Sequence, residues 1–302
     1  MAARAPRVLV CGDVINDILA QTRGSLVRGD DNPAAIRTRP GGSAANQAAW
    51  MASLGLDVVF AGRAGAADAE FHRQELARFG VEPHLAVDES AATGSIVVLV
   101  GPDGERTMIT DRGANLRLRP ADVPTGLFDG VALLHLTGYS FFAPAPREVA
   151  LRLIAEARRR GVPFTIDPGS AAFLGQLAPG EFLNWTKGAA VCFPNIDEAA
   201  VLTGAADGPA DPAAMAVLLT DHYDAAVVKL GADGALVAPE GTQPIRVAAR
   251  PAVVRDTTGA GDAFCAGFLA VWLAGGQPAA AAVAGVTAAA RAVCALGGRP
   301  PG

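Results

Sequence analysis

The stretch Asp256-Thr257-Thr258-Gly259-Ala260-Gly261-Asp262-Ala263-Phe264 places two glycines and an alanine ahead of an aspartate, at the start of a run of helix formers. Small residues at a helix start leave backbone N–H groups uncovered, with the positive end of the helix behind them. Gly259, Ala260 and Gly261 therefore read as an anion site. Asp262, a poor phosphate ligand, is well placed as a base for a hydroxyl that attacks a phosphate. A plain glycine turn capped by an aspartate would need only one such residue.

Two other phosphate motifs are excluded. The chain has no Gly-Lys dipeptide, so it carries no Walker A loop. As a dinucleotide fingerprint the run fails, because Phe264 stands where the third glycine belongs and no acidic residue lies about 20 positions on.

Pro40-Gly41-Gly42-Ser43-Ala44-Ala45-Asn46 is a second glycine turn into a helix, where Gly41 and Gly42 admit a ligand against the backbone and the Asn46 amide both donates and accepts. An ordinary helix start with Ser43 as N-cap explains the same residues. Asn195-Ile196-Asp197-Glu198 is a capping-box pattern, and it is also a way to hold the hydration shell of Mg2+ through Glu198. Asp17 reads either as a turn aspartate or as a ligand for substrate hydroxyls. Lys229-Leu230-Gly231-Ala232-Asp233-Gly234 reads as strand, turn, strand, with glycines that admit a flat nucleotide or simply make the turn. His135, inside an apolar strand, reads as a core histidine rather than a base.

Positioning these residues requires a scaffold, and the chain supplies a repeating one. RVLVCGD, VVFAGRAG, GVALLHLTG, VPFTIDP, AAVCFPN and AAVVKLG are short apolar runs ending in turns. Helical stretches lie between them at about 44–56, 67–79, 147–160 and 197–203. Strands apolar on both faces and alternating with helices predict an α/β fold, a mostly parallel central sheet with helices on both faces. Such sheets bind ligands at the carboxyl ends of their strands, where Asp13, Asp17, Asn195, Lys229 and Gly231 fall. Two pieces, about 18–39 and 93–111, break the alternation. In the second, SIVVLV and ERTMIT flank Gly101-Pro102-Asp103-Gly104 and predict a β-hairpin outside the main sheet. We expect one domain over residues 1–302 with these two pieces as a small β lid.

The 302 residues are 51% hydrophobic and 18% charged, with a formal net charge of −5. That composition excludes a disordered chain and argues against a nucleic-acid surface, which needs clustered Lys and Arg. The one basic run, Arg158-Arg159-Arg160, reads as a helix C-terminus, where cations suit the dipole. Cys11, Cys192, Cys265 and Cys294 lie far apart among apolar neighbours and read as buried thiols suited to a reducing compartment. The N-terminal apolar run is too short for a secretory leader, so a cytoplasmic location is expected. Near the C-terminus, Gly275-Gly276-Gln277-Pro278 divides an apolar stretch into pieces too short to span a membrane, which predicts two buried core helices.

In their joint order, Gly12 with Asp17, GGSAAN at 41–46, Asn195 with Glu198, Lys229-Leu230-Gly231 and DTTGAGDAF, the chain resembles the ribokinase-like, or PfkB, carbohydrate kinase family over essentially its whole length. The resemblance implies an ATP-dependent kinase acting on a sugar or nucleoside, with Asp262 as base and Gly259, Ala260 and Gly261 as the anion hole. Asn195 and Glu198 would serve Mg2+ and the phosphates. Asp17, Gly41, Gly42 and Asn46 would hold substrate hydroxyls, and Lys229 and Gly231 would line the nucleotide cleft. It also implies a K+ beside the anion hole at Asp256, Thr258 and Gly297, although a serine expected near the C-terminus is Pro301. Ribokinases proper carry a sugar-binding glutamate where this chain has Thr137-Gly138. In the resembling ketodeoxygluconate kinases an arginine near Arg112 meets the substrate acid, so acid sugars enter the list of acceptors; a surface arginine is the other reading. Because SIVVLV is apolar on both strand faces, a homodimer through the lids is expected. The rival function is a noncatalytic sugar or nucleotide sensor on the same fold, which would have no use for an aspartate base.

Overall fold

The computed structural model describes residues 5–22, 24–100, 106–205 and 211–301. Along the chain, β1 (Arg7–Cys11), β2 (Ile15–Thr22) and β3 (Ala34–Gly41) precede α1 (Ser43–Ser53). Then come β4 (Asp57–Gly65), α2 (Ala69–Ala77), β5 (Val81–Asp88), β6 (Thr93–Val100), β7 (Arg106–Gly113), β8 (Val131–Thr137) and α3 (Pro144–Arg160). The second half holds β9 (Phe164–Asp167), α4 (Ala171–Leu174), α5 (Pro179–Thr186), β10 (Val191–Cys192), α6 (Ile196–Thr203) and α7 (Pro212–Leu219). It closes with β11 (Ala225–Lys229), β12 (Ala235–Pro239), β13 (Ile245–Val247), α8 (Ala260–Leu273) and α9 (Pro278–Val293).

Nine strands form the large sheet in the order β13-β12-β11-β10-β9-β8-β1-β4-β5. All its pairs are parallel except β11–β12 and β12–β13. The expected apolarity on both strand faces has a direct cause. Val8, Val10, Val58 and Phe60 pack on one face with α1, α8 and α9, while Leu9, Cys11, Val59 and Ala61 pack on the other with α3, α5, α6 and α7. Each such fully buried large side chain contributes roughly 1.5–3 kcal/mol of transfer free energy. His135 is fully buried in β8, as expected of a core histidine. The arginine run ends α3 ahead of Gly161 in the left-handed conformation, and Arg159 and Arg160 pair with Glu156.

A second sheet of four strands, β3-β2-β6-β7, stands apart from the first. It accounts for both pieces that broke the alternation, with wider bounds than the sequence suggested: Ile15–Gly41 and Thr93–Gly113. Asp17 is consequently a mid-strand residue, since β2 begins two positions before it. β6 and β7 pair antiparallel as expected, with Val98 opposite Met108, while the turn at Gly101–Gly104 lies outside the described residues. β2 and β6, however, pair parallel, Asp17 against Ile96. β5, too polar to read as a strand, forms the edge beside β4.

Two other expectations need correction. Cys11, Cys192 and Cys265 are buried, but Cys294 is exposed, because it follows the last turn of α9. α8 is buried along most of its length, whereas α9 buries one face (Ala281, Ala282, Gly285, Val286, Ala288, Ala292) and leaves Val283 and Arg291 outside. Among the described residues no helix is long and apolar enough to cross a membrane.

Candidate active site

The turn before α1 and the turn before α8 bring the two glycine motifs together. Gly42 is the N-cap of α1, at φ 92°, with no side chain capping it. Ser43, expected as the cap, is instead the first residue of the helix, and its hydroxyl donates to Asp262 Oδ1 at 2.7 Å. Asn46 Nδ2 donates to Asp262 Oδ2 at 3.0 Å, and Gln47 Nε2 donates to Oδ1 at 3.1 Å. One turn of α1 thus surrounds the Asp262 carboxylate with donors. Gly259, at φ 74°, leads into α8, and a side chain there would collide with Gly298, since an added Cβ would sit 2.5 Å from its Cα.

Burial raises the pKa of Asp262 to about 6; the hydrogen bonds from Ser43, Asn46 and Gln47 oppose the rise and the Asp167 charge adds to it. Asp17 is pushed up to about 7, by burial first and then by Asp13 and Asp262. Its carboxylate lies over Gly41, where an added Cβ would come within 2.1 Å of Oδ2. Gly41 therefore makes room for Asp17 rather than lining the cleft itself.

Three adjoining clefts meet at these residues. The first, about 730 Å3, is lined by Asp13, Asp17, Gly42, Asn46 and Arg112 on one side and by Asp256, Thr258, Gly259, Asp262 and Gly297 on the other. The second, about 340 Å3, holds Asn195, Glu198, Lys229, Gly231, Gly259, Gly261 and Asp262, together with Asp167. The third is a mostly apolar slot between Gly231–Gly234, Ala249–Ala252 and α8–α9, with Ala260, Phe264, Val286 and Ala289 on its walls. Ala260 thus borders the slot rather than the cleft that holds Asp262.

Asn195 and Glu198 do form the capping box: Asn195 Oδ1 accepts from the Glu198 N–H, and Glu198 accepts from the Asn195 N–H, both at 2.8 Å. Capping and facing the cleft coexist, because the box sits at the mouth of the second cleft. Burial raises Glu198 to about 7, Lys229 opposing and Asp167 reinforcing. Lys229 keeps little contact with water, which disfavours its charge, yet Asp167, 3.1 Å away, holds it above the usual lysine range.

Asp167 was missed in the sequence. The rule that marked Asn195 and Lys229 would have found it, because it ends β9 on the same side of the sheet. Arg112 faces the first cleft: its Nη1 donates to the Tyr139 carbonyl at 2.9 Å and its guanidinium lies 5.4 Å from the Tyr139 ring centre. Its buried Nε has no partner. Arg37 and Arg39 line the same cleft, and Arg39 Nη1 donates to the Leu296 carbonyl. Sequence reasoning missed both, since nothing in TRP or IRT marks a strand face.

Asp256, Thr258 and Gly297 come together, but through the turn's own bonds: Asp256 accepts the Thr258 and Gly297 N–H groups, each at 2.8 Å. At the end of β8, a Cβ on Gly138 would lie 1.8 Å from the Pro168 carbonyl oxygen, so no side chain fits at that position, and its neighbour Thr137 is fully buried.

Residues 5–301 match the pfkB family carbohydrate kinase description. The chain is 32% identical over 286 residues to an ATP-dependent ribose-1-phosphate kinase of Halopiger xanaduensis, covering 90% of this chain and 86% of that one. Among solved structures it is similar to Arabidopsis thaliana ribokinase complexed with ribose and ATP (26% identity, TM-score 0.82, 98% and 96% covered). It is also similar to adenosine kinase from Sinorhizobium meliloti (26%, TM-score 0.86, 99% and 96%). The chain belongs to the pfkB family of carbohydrate kinases and is a sugar or nucleoside kinase of that family.

Proposed function

We propose that the protein transfers the γ-phosphoryl group of ATP to a hydroxyl of a sugar-like acceptor that carries an anionic group, with Asp262 as general base. The observation that carries this reading is the position of Asp262, held by Ser43, Asn46 and Gln47 where the first and second clefts meet. The acceptor occupies the first cleft, its hydroxyls on Asp17 and Asn46. The triphosphate lies in the second cleft, and the purine lies in the apolar slot between Ala249–Ala252 and α9. Gly259 and Gly261, at the positive end of α8, stabilise charge on the moving phosphoryl group. Asp262 takes the hydroxyl proton as the oxygen attacks.

Mg2+ keeps several waters and takes one or two carboxylates beside phosphate oxygens. Glu198 suits this, because each of its oxygens accepts one hydrogen bond from Asn195 and has a further lone pair, and the residue lines the second cleft. When bound, the ion neutralises phosphate charge.

An anionic acceptor is supported by the cleft's arginines. Among the described residues, Arg37, Arg39 and Arg112 make no ion pair, although all three line the first cleft. A guanidinium fork suits a carboxylate or phosphate, which neutral ribose lacks.

The small sheet is the lid of this reading. Ile15, Asp17, Leu19, Arg37, Arg39, Ile96, Val98, Met108, Thr110 and Arg112 line the first cleft, so alternate residues of all four strands face it. The opposite face carries Ile36 and Ile109, 67% and 59% exposed. We place a homodimer contact on this sheet, and light scattering at micromolar concentration should give twice the chain mass; a monomer would overturn it.

Asp262→Asn should keep nucleotide binding and lower kcat by roughly 10^2 to 10^4, measured as ADP release with ribose, fructose, 2-keto-3-deoxygluconate, ribose 1-phosphate and nucleosides. Turnover near the parent's would remove the base, and binding without turnover by the parent would favour a sensor. Arg112→Ala should raise KM for an anionic sugar by roughly 10- to 150-fold, equivalent to about 1.5–3 kcal/mol, and leave a neutral acceptor's KM in place. Equal effects on both would sink the anionic reading.

Asp17 carries a stability cost as well. In the unfolded chain its carboxyl titrates near 4, and in the folded chain near 7. The folded state therefore binds more protons between those values, and stability is lost as pH rises through that window. Asp17→Asn should add roughly 1–3 kcal/mol at pH 8 and nothing near pH 4 in urea titrations, while raising the acceptor KM. An equal gain at both pH values would refute the assignment.

A further inference from the structure

Each oxygen of an ionised carboxylate accepts about two hydrogen bonds. Asp262 Oδ1 has both positions taken, by Ser43 Oγ and by Gln47 Nε2. Oδ2 accepts one bond, from Asn46 Nδ2. Asn46 lines the first cleft and Asp167, the other carboxylate next to Gln47, lines the second. The oxygen with spare capacity is therefore the one held by Asn46, which lines the first cleft and not the second.

What ties Oδ1 is itself held from behind. Gln47 Nε2 lies 3.1 Å from Asp262 Oδ1, 3.0 Å from Asp167 Oδ2 and 3.1 Å from Ser43 Oγ. It has two hydrogens, and the two carboxylates can only accept, so the hydrogens go to them. The reversed amide would point its carbonyl oxygen at both carboxylates. Gln47 Oε1 meets His135 Nε2, which must then carry a hydrogen. His135 Nδ1 is left to accept the Thr165 hydroxyl hydrogen at 2.7 Å. Burial lowers the His135 pKa to about 4, so the ring is neutral and this tautomer is fixed at physiological pH.

We propose that His135, acting through Gln47, is a positioning residue that ties Oδ1 of Asp262 and leaves Oδ2 as the atom that takes the proton. This rests on Asp262 being the base. In the step, the acceptor O–H bond breaks as Oδ2–H forms, and the freed oxygen pair bonds to the γ-phosphorus. The bond from that phosphorus to ADP breaks, its pair leaving on the ADP oxygen. The other charges around Asp262 are Asp167 on β9 with Lys229 on β11 behind it, Asp17 on β2, Asp13 after β1, and Arg299 near the C-terminus. None of them contacts His135 by hydrogen bond or ion pair.

The test is the pH dependence of kcat with ATP and whichever sugar of the panel releases ADP fastest, in the parent, His135→Phe, Gln47→Met and the double variant. Losing the Gln47 N–H from Oδ1 makes Asp262 a weaker acid, so the acid limb should move up by about half to one pH unit. Turnover should fall roughly 3- to 10-fold below the limb and recover above pH 8, a one-unit shift being tenfold. KM should stay within about twofold, and the double variant should shift no further than Gln47→Met alone, the mark of one shared path. A carbon-13 titration of the Asp262 carboxyl in the nucleotide-free protein reads the same shift without any acceptor.

A limb left at the parent's pH with turnover reduced equally at all pH values, or additive shifts in the double variant, would overturn the proposal. Thr165→Val conserves volume and removes only the hydroxyl, so it carries the test should His135→Phe fail to fold. It should shift the limb in the same direction by a smaller amount, and an unmoved limb there counts against the relay. Asp262→Asn separates the two layers: if it keeps turnover within tenfold and retains the acid limb, the base reading has failed. If it abolishes both while the relay variants leave the limb in place, only the relay has failed.

Discussion

A carboxylate removed from water costs several kcal/mol unless donors replace the water it has lost. Asp262 receives its replacements from one turn of α1, and much of the architecture follows from that requirement. The N-termini of α1 and α8 have to meet, which the packing of both helices on one face of the large sheet achieves. The chain also has to fold back at its end: Trp50 Nε1 donates to the Gly298 carbonyl at 2.9 Å, and Arg299 donates to the Ala45 carbonyl at 2.9 Å. Two helix dipoles then present their positive ends to the same place, which is where an anionic group is best received.

Each cleft brings together charges of both signs. The first cleft gathers Asp13, Asp17, Asp256 and Asp262 with four arginines, Arg37, Arg39, Arg112 and Arg255, and the second sets Lys229 against Asp167 and Glu198. Several of these acids are held above their ordinary pKa by burial. The folded protein accepts that cost because the same burial excludes water from the point where a phosphoryl group would be exposed to it.

The parallel centre of the large sheet was legible because its strands are apolar on both faces, whereas the edge strands β5 and β13 are not and went unread. The glycine turns at 41–42 and 259–261 were legible for a related reason, since positive φ and close backbone approach leave few alternatives to glycine. What stayed hidden depends on partners distant in sequence. Ser43 looked like a cap because nothing local points to Asp262, 219 residues away. Gln47 carries no local signal, because its four partners come from α1, β8, β9 and α8. Asp17 stayed open between turn and ligand because the strand containing it pairs with β6, a segment that only the fold brings near.

The strands of the small sheet join the rest of the molecule at one edge, and Arg39 and Arg112 add contacts to the Leu296 and Tyr139 carbonyls. Ile15 stands opposite both Gly41 and Gly94, and Thr93 opposite Gly113, so all four strands enter or leave at the same end. Three of those positions are glycine. A plate attached along one edge has one easy degree of freedom, rotation about that edge, and resists sliding because β2 and β6 are anchored separately to β1 and β5. Displacement under such rotation grows with distance from the edge. Asp17 stands two residues out, about 7 Å at the usual strand rise, whereas Val100 stands about six residues out. Rotation about that edge would therefore move the far end of the sheet most and Asp17 least.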